Sequence, residues 1–395
     1  MNKIIETFQG LTNLQKILVL IILTTAVYGA SSSISYSIFS KIVTLSPVSK
    51  ETAESTLPTS TNALIEDPTQ PKTEECPLNG RKHTKKAQEF WEKRRPLAVM
   101  VENHTEARPQ SGLTSADVVY EAVAEGGITR FMALFYCNLS DVQVGPVRSA
   151  RTYYLDWLAE YDALYAHVGG ANTPGPADAL SQIIRYEVKD LNQFSIGFPV
   201  FWRDYQRLGH PVATEHTMYS TTQKLWEVGA KRGWVATDSA GIRWDKKFIP
   251  WKFKEDPSVS SGQVNKITVN FWESQSSYTV EWNYDPTSNT YKRKNGEDHI
   301  DLNNKQQLAA KNIVVQFERE SNANDGYPGN VHLLYTTTGS GKALIFQDGN
   351  VWEGKWIKTS RTARSKYVDN KGQEIEFNRG QIWIQTVPEG SKVSY

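Results

Sequence analysis

Three apolar runs decide the fold of this chain: RPLAVMVENH (95–104), DVVYEAVA (117–124) and TRFMALFYC (129–137). Each is rich in β-branched and aromatic residues, which is typical of a buried strand. Residues 150–161 then show the apolar spacing of an amphipathic helix, and 164–168 form a further strand-like run closed by two glycines. Strands that alternate with helices predict an α/β domain.

The pattern changes beyond Trp244, where short strand-like runs are separated by turn signals such as Asp-Pro, Asn-Gly and Asp-Gly. This texture predicts a mainly β domain. We therefore expect an overall fold of the α/β (α+β) class. An α/β domain would cover 76–240, and a smaller, mainly β domain would cover 241–395.

The N-terminal region reads as a membrane anchor followed by a stalk. Residues 17–39 carry no charge, and their 23 residues are long enough to span a bilayer. A cleaved signal peptide is the alternative, and both interpretations place the body outside the cytoplasm. We assign 1–45 to a signal anchor with one transmembrane helix. Residues 46–75 are rich in Pro, Ser and Thr and predict an extended stalk.

Charge and cysteine content limit the function classes. Lys and Arg number 44 against 43 Asp and Glu, so the basic excess typical of a nucleic-acid binder is absent. Cys76 and Cys137 are too far apart for a CxxC motif. In an exported protein the two cysteines are expected to form one disulfide.

The segment GPVRSAR (145–151) is the most informative for function. It lies between a predicted strand and a predicted helix, which places Arg148 and Arg151 near a helix N-terminus. Cations are disfavoured there by the helix dipole, whereas an anion would be held by the helix N–H groups and the guanidinium groups together. The alternative is an internal ion-pair network of the two arginines with Glu121 and Glu125.

Other polar residues follow the ends of apolar strands, where α/β folds bind ligands. The predicted ligand-binding residues are Arg148, Arg151, Asn103, Glu121, Glu125, Arg130, Arg203 and His216. The candidates for catalysis are Glu102, His167 and Asp204. No GxSxG, HExxH, Walker A or GxGxxG motif is present. No spacing requires a metal ion or a cofactor, and the motifs do not decide whether the chain is an enzyme.

The long motifs of the first domain resemble the YerB-like family of exported bacterial lipoproteins and anchored proteins. They run from RPLAVMVENHTEARPQ (95–110) through VGPVRSARTYYLDWLAEYDALYAHVGG (144–170) to HTMYST (216–221), and CPLNG (76–80) precedes them. The resemblance implies an α/β domain followed by a β-rich domain, and it implies no settled activity. Glu102 stands where the family pattern leads us to expect Asp, and TEHTMYST (214–221) where a Pro-His-Asn type of run is expected.

Three functions are consistent with these observations. The first is an extracytoplasmic envelope protein, held to the membrane by its N-terminal helix, that binds a glycan, peptidoglycan or lipid-linked phosphate through the arginines. The second is an envelope-polymer hydrolase or phosphotransferase. The third is a scaffold that uses the Trp-rich β domain. No nucleic-acid partner is expected, and the oligomeric state is left open.

Overall fold

The computed structural model of the protein describes residues 11–19, 21–22, 24–25, 66–257, 262–327 and 332–395. The chain divides into two units, Met1–Ser55 and Thr56–Tyr395. In the first unit, residues 13–19 are helical. Within the described ranges, no helix is both long enough and apolar enough to cross a membrane. Most of the predicted anchor, and the predicted stalk up to residue 65, lie outside the described residues.

Residues 66–257 combine short helices with strands. The helices are α1 (Lys85–Trp91), α2 (Thr152–Leu158), α3 (Ala179–Arg185), α4 (Gln193–Ile196) and α5 (Thr222–Lys231). The strands are β1 (Glu74–Glu75), β2 (Lys82–His83), β3 (Leu97–Glu102), β4 (Val118–Glu125), β5 (Ile128–Phe135), β6 (Gln143–Val144), β7 (Leu164–His167), β8 (Lys189–Asn192), β9 (Trp202–Arg203), β10 (Met218–Thr221) and β11 (Phe253–Lys254).

The described residues from 262 onward contain strands and no α-helix. These strands are β12 (Lys266–Val269), β13 (Val280–Asp285), β14 (Thr290–Asn295), β15 (Glu297–Asp298), β16 (Ala309–Ala310), β17 (Asn312–Glu318), β18 (Glu320–Asn322), β19 (Leu333–Tyr335), β20 (Gly339–Gln347), β21 (Asn350–Lys358), β22 (Lys366–Asp369), β23 (Phe377–Asn378), β24 (Ile382–Pro388) and β25 (Val393–Ser394). A mixed α/β segment is thus followed by a mainly β segment, as the sequence predicts.

One sheet of ten strands runs through both segments, in the order β22-β21-β20-β17-β24-β4-β5-β3-β7-β8. The two segments meet where β24 pairs in parallel with β4, with Ile382 opposite Val118 and Gln385 opposite Glu121. This shared sheet is a feature that the sequence did not predict. The domain boundary placed after residue 240 stays a prediction.

The centre of this sheet is covered on both faces, which explains the continuous apolar runs of its strands. On one face, Trp157 of α2 stacks on Tyr120 of β4 at a ring-centroid distance of 5.3 Å. On the other face, Trp383 of β24 contacts Trp282 of β13 at 5.2 Å. Strand β13 belongs to a second sheet, ordered β15-β14-β13-β12-β25 with β16 paired to β14.

The predicted disulfide between Cys76 and Cys137 is confirmed, with their Cα atoms 6.0 Å apart. It joins the start of the folded body to the residue that follows β5 by two positions. The buried Asp117 carboxylate accepts hydrogen bonds from the backbone N–H groups of Tyr136 and Cys137, at 2.7 and 3.1 Å. The beginning of the body is therefore fixed to the central sheet.

The GPVRSAR segment lies between the ends of β3 and β7. The N–H of Arg148 donates to the carbonyl of Met100 at 2.9 Å, and its carbonyl accepts from the N–H of Val168 at 3.0 Å. Gly145 allows the segment to lie close to β10 as well, because a Cβ at that position would lie 2.8 Å from the carbonyl oxygen of Met218. Arg148 therefore stands at the carboxyl ends of two neighbouring parallel strands, where α/β sheets bind ligands.

Candidate functional site

Glu102, the last residue of β3, connects two of the predicted site residues. Its Oε1 lies 3.1 Å from Nε of Arg148, and its Oε2 lies 2.9 Å from Nδ1 of His216. The side chain of Glu102 is almost completely buried. Because a carboxylate can only accept, Nδ1 of His216 carries a proton. The three side chains form a continuous chain of polar contacts, which orients both the guanidinium group and the imidazole ring.

Arg148 lines a cleft of about 460 Å³. Its Nε faces Glu102, and its two terminal nitrogens have no hydrogen-bond partner in the described part of the chain. Burial lowers the pKa of Arg148, whereas the neighbouring Glu102 raises it. The guanidinium group keeps its charge at neutral pH. It therefore presents a cation with free donors to the cleft.

The cleft as a whole carries a net positive charge. Arg203 of β9 also lines it, and this side chain donates from Nη1 to the Thr214 carbonyl. Ser149 and Asn172 contribute side chains that make no hydrogen bond to any described residue. Glu215 adds a carboxylate whose pKa is lowered first by its own backbone N–H and further by His216 and Arg148. Two guanidinium groups against one exposed carboxylate favour an anionic ligand.

We define an apolar rim by two side chains that line the cleft, Leu180 and Phe194, and by the exposed apolar residues four positions after them, Ile184 and Phe198. Leu180 belongs to α3 and Phe194 to α4, and the Phe194 side chain is 76% exposed. Gly169, with φ of +57°, makes room for the Phe194 ring, since a Cβ there would lie 2.8 Å from it. Ile184 follows Leu180 by one helical turn and is 79% exposed, and Phe198 is 83% exposed. Large apolar side chains with this exposure are candidates for contact with an apolar partner.

Arg151 does not join Arg148 in the cleft, which corrects the predicted pair. It is the N-cap residue of α2, is 7% exposed, and contacts Glu125 through Nη2. The second oxygen of Glu125 lies 2.8 Å from Nη2 of Arg130. Helix α2 begins at Thr152 rather than at residue 150, and burial lowers the pKa of Arg151. The predicted ion-pair alternative therefore describes Arg151, Glu125 and Arg130, whereas Arg148 pairs with Glu102.

Glu121 is also removed from the predicted ligand site. Its side chain has no exposed surface and lies 2.7 Å from Nη2 of Arg293. Its oxygens also accept from Trp383 Nε1, Gln385 Nε2 and Thr129 Oγ1, at 3.1, 3.0 and 2.9 Å. Each of its two oxygens accepts two hydrogen bonds inside the protein, so Glu121 is part of the core and is not available to a ligand.

Asn103 is likewise fully buried. Its amide nitrogen donates to Thr129 Oγ1 at 2.7 Å and to Asn295 Oδ1 at 3.2 Å. Its amide oxygen accepts from Arg108 Nε at 3.1 Å. Asn103 therefore links β3 to β5 and β14. Both hydrogens of its amide group are used in these contacts, so neither is available to a ligand.

Two of the three catalytic candidates make hydrogen bonds that involve neither Arg148 nor Arg203. The buried His167 has Nδ1 2.7 Å from the Gly169 carbonyl and Nε2 2.6 Å from Asp190 Oδ1. Asp204 accepts the backbone N–H of Gln206 at 3.1 Å, which is a turn contact. Glu102 contacts Arg148 and His167 contacts the Gly169 carbonyl, and both Arg148 and Gly169 line the cleft.

The structure adds two residues that were not among the predicted site residues. His104 stacks on His216 with ring centroids 4.7 Å apart and planes inclined by 10°. Oε2 of Glu106 lies 3.7 Å from Nε2 of His216. Both follow β3 closely, so their position after a buried strand could have identified them as candidate site residues. Their pairing with a residue about 110 positions later could not be inferred from spacing.

Comparison with known proteins identifies relatives over most of the chain. The model described as "Protein of unknown function (DUF3048) N-terminal domain" matches residues 80–235, and the corresponding C-terminal domain model matches 267–384. The Bacillus subtilis (strain 168) protein named "Putative lipoprotein YerB" is 31% identical over 318 residues, 80% of this chain and 86% of that protein. The crystal structure of YerB from Bacillus subtilis aligns with a TM-score of 0.65 and 29% identity, and covers 82% of this chain and 100% of that one.

Proposed function

The chain belongs to the DUF3048 family, and we propose from that premise that it is a membrane-tethered cell-envelope protein that binds a lipid-linked phosphate in the Arg148 cleft. Three features support the location. Residues 17–39 are uncharged, a Pro-, Ser- and Thr-rich segment follows them, and the body contains a disulfide. The Bacillus subtilis relative is named "Putative lipoprotein YerB", which supports a membrane-tethered location.

The proposal rests on the Arg148 guanidinium group, which is oriented by Glu102 and has unused hydrogen-bond donors. Its Nε is positioned by Glu102, and its terminal nitrogens have no hydrogen-bond partner among residues 66–257, 262–327 and 332–395. A guanidinium group binds two oxygens of a phosphate at once, which makes arginine well suited to this ligand. Arg203 supplies a second cation on the same cleft. The charge of the cleft favours a phosphate over an uncharged glycan.

The apolar rim favours a phosphate that is joined to a hydrocarbon. Phe194 lines the cleft, and Phe198 and Ile184 expose about four fifths of their side chains to solvent. Covering one such side chain contributes about 1.5–3 kcal/mol. A polyprenyl phosphate would place its head at Arg148 and the first part of its chain on the rim. Free phosphate or peptidoglycan would leave the rim uncovered.

An envelope-polymer hydrolase or phosphotransferase is the second candidate. It is favoured by the pairing of His216 with Glu102, since a carboxylate that holds Nδ1 leaves Nε2 as the nitrogen available for proton transfer. Incubation of the full chain with a polyprenyl pyrophosphate tests this candidate. Release of inorganic phosphate that is lost in His216→Gln would support it.

The primary proposal is tested with the full chain reconstituted into lipid vesicles. Binding is there measured as crosslinking of a photoreactive lipid probe to residues of the cleft, because insertion of the N-terminal segment does not depend on the lipid. Three vesicle compositions are compared: a polyprenyl phosphate, the matching polyprenyl alcohol, and phosphatidylglycerol, each in phosphatidylcholine. We expect binding to the polyprenyl phosphate vesicles alone. Equal binding to phosphatidylglycerol would indicate attraction to any anionic surface. Equal binding to the alcohol would show that the phosphate group is not recognised.

A further inference from the structure

We propose that His104, Glu106 and His216 bind one divalent transition-metal ion, with Zn²⁺ as the best match. The three side chains each offer one ligand atom, and these atoms lie within 4.8 Å of one another. Two imidazoles and one carboxylate are the donor set of catalytic zinc sites, in which water takes the fourth position. This inference goes beyond phosphate binding and concerns residues that do not line the cleft.

The environment of His216 is the first argument for the site. Its Nδ1 donates to the buried Glu102 at 2.9 Å, which leaves Nε2 with a lone pair in the neutral ring. A carboxylate behind the second nitrogen is the usual support of a metal-bound histidine, because it fixes the tautomer and the ring direction. The His216 side chain is 6% exposed, so this direction is held by packing as well.

The distances are the second argument. Nε2 of His216 lies 3.7 Å from Oε2 of Glu106. Two ligands bound about 2.05 Å from a tetrahedral ion are about 3.3 Å apart, so the observed gap exceeds the bound one by about 0.4 Å. Glu106 is 57% exposed and can make this adjustment. His104 must turn out of its stack on His216 and give up its 3.2 Å contact with the N–H of Glu106.

The surrounding backbone is held in place by Arg207. Its guanidinium group donates to the carbonyls of His216, Pro109 and Glu106, at 3.1, 2.9 and 3.3 Å. One side chain thus joins the two turns that carry the three ligands. This cross-link fixes the two backbone turns relative to each other, so that only the side chains of His104 and Glu106 have to move when the ion binds.

The local charge also admits a cation. Two carboxylates, Glu102 and Glu106, lie within 4 Å of the His216 ring, whereas Arg207 donates to backbone carbonyls. A plain ion pair between a protonated His216 and Glu106 is the competing explanation of the same contacts. That pair would bind a proton rather than a metal ion, and a metal titration separates the two.

The test is a titration of the full chain, without a polyhistidine tag, with Co²⁺ followed by visible absorption and with Zn²⁺ followed by calorimetry. We expect one ion per chain and a tetrahedral Co²⁺ spectrum. Glu106→Gln removes an exposed ligand without loss of packing and should abolish the spectrum, as should His216→Gln. Glu102→Gln should weaken binding about 10- to 100-fold, because it removes the support of a ligand.

His210→Gln is the matched control, since this exposed histidine contacts the carbonyl of Pro211 and lies outside the cluster. It should leave both titrations unchanged. Failure of the wild-type chain to bind either ion, or equal binding by Glu106→Gln, would overturn the metal site. Arg148→Gln should still bind the ion. The metal site can therefore be confirmed even if the phosphate proposal fails.

Discussion

The Glu121 carboxylate and the Arg293 guanidinium group lie 2.7 Å apart, with both side chains fully buried and 172 positions apart in sequence. Arg293 belongs to β14 of the second sheet, and Glu121 belongs to β4 of the central sheet. The ring of Trp383 lies 5.1 Å from the Arg293 guanidinium carbon, which adds a cation–π contact. This ion pair connects the two sheets through the core.

Arg293→Met is expected to lower the free energy of unfolding by about 3–5 kcal/mol, because it leaves the Glu121 charge buried without its partner. Urea unfolding followed by tryptophan fluorescence measures the effect. Glu281→Gln breaks a partly exposed pair with Lys266 in the same sheet and should cost less than about 1 kcal/mol. An equal effect of the two substitutions would mean that the buried pair has no special role.

His299 should make the stability depend on pH. It is buried, and its pKa is lowered first by burial and then by the charges of Arg293 and Arg108. The unfolded chain therefore binds one more proton than the folded chain below about pH 6.5. Stability must fall as the pH falls below that value, by up to about 1.4 kcal/mol per pH unit.

The comparison with His299→Gln isolates this effect from other titrating groups. The difference in unfolding free energy between the wild type and the variant should shrink as the pH is lowered from 7 toward 5. His210→Gln, at an exposed position, serves as the control. A difference that stays constant over this range would show that His299 takes up its proton without unfolding.

The apolar rim makes a separate prediction about the ligand. Replacing both Phe194 and Phe198 with Ser should weaken binding to polyprenyl phosphate vesicles by about 10-fold or more, since two apolar contacts are lost. Binding of a short, soluble alkyl phosphate should change little. Both side chains are exposed, so the melting temperature should stay near that of the wild type. Unchanged vesicle binding would exclude the rim from the site.

The elements that were predicted from the sequence are those with a local signal. The predicted runs 95–104 and 117–124 contain the strands Leu97–Glu102 and most of Val118–Glu125, because their apolar residues are continuous, as happens when both faces are covered. Helix α2 begins two residues later than predicted because Arg151 adopts an extended backbone. The disulfide could be predicted because an exported chain with two cysteines has one pairing to make.

The relationships that were missed are long-range. The pairing of β24 with β4 joins residues more than 260 positions apart, and no local pattern specifies such a register. Arg148 and Arg151 look alike in sequence, but their environments differ because Glu102 and Glu125 come from different strands. Arg293 alternates with Tyr291 and Asn295 on the buried face of β14, and this period of two was the available signal.

The measurement that tests the central claim compares two single variants, Arg148→Gln and Arg151→Gln. Both remove one guanidinium group from the same seven-residue segment, so each is the control for the other. Binding to polyprenyl phosphate vesicles is measured beside the melting temperature. Gln at position 148 can still donate to Glu102, whose other oxygen keeps its contact with His216. We therefore expect little loss of stability from Arg148→Gln.

The account predicts that Arg148→Gln weakens binding about 10- to 100-fold, which corresponds to the loss of charge-assisted hydrogen bonds of about 1.5–3 kcal/mol. Arg151→Gln should keep the affinity of the wild type and lower the stability by about 1–3 kcal/mol, because Glu125 loses a buried partner. Wild-type affinity in Arg148→Gln, together with a large fall in its melting temperature, would contradict the proposed role of the cleft.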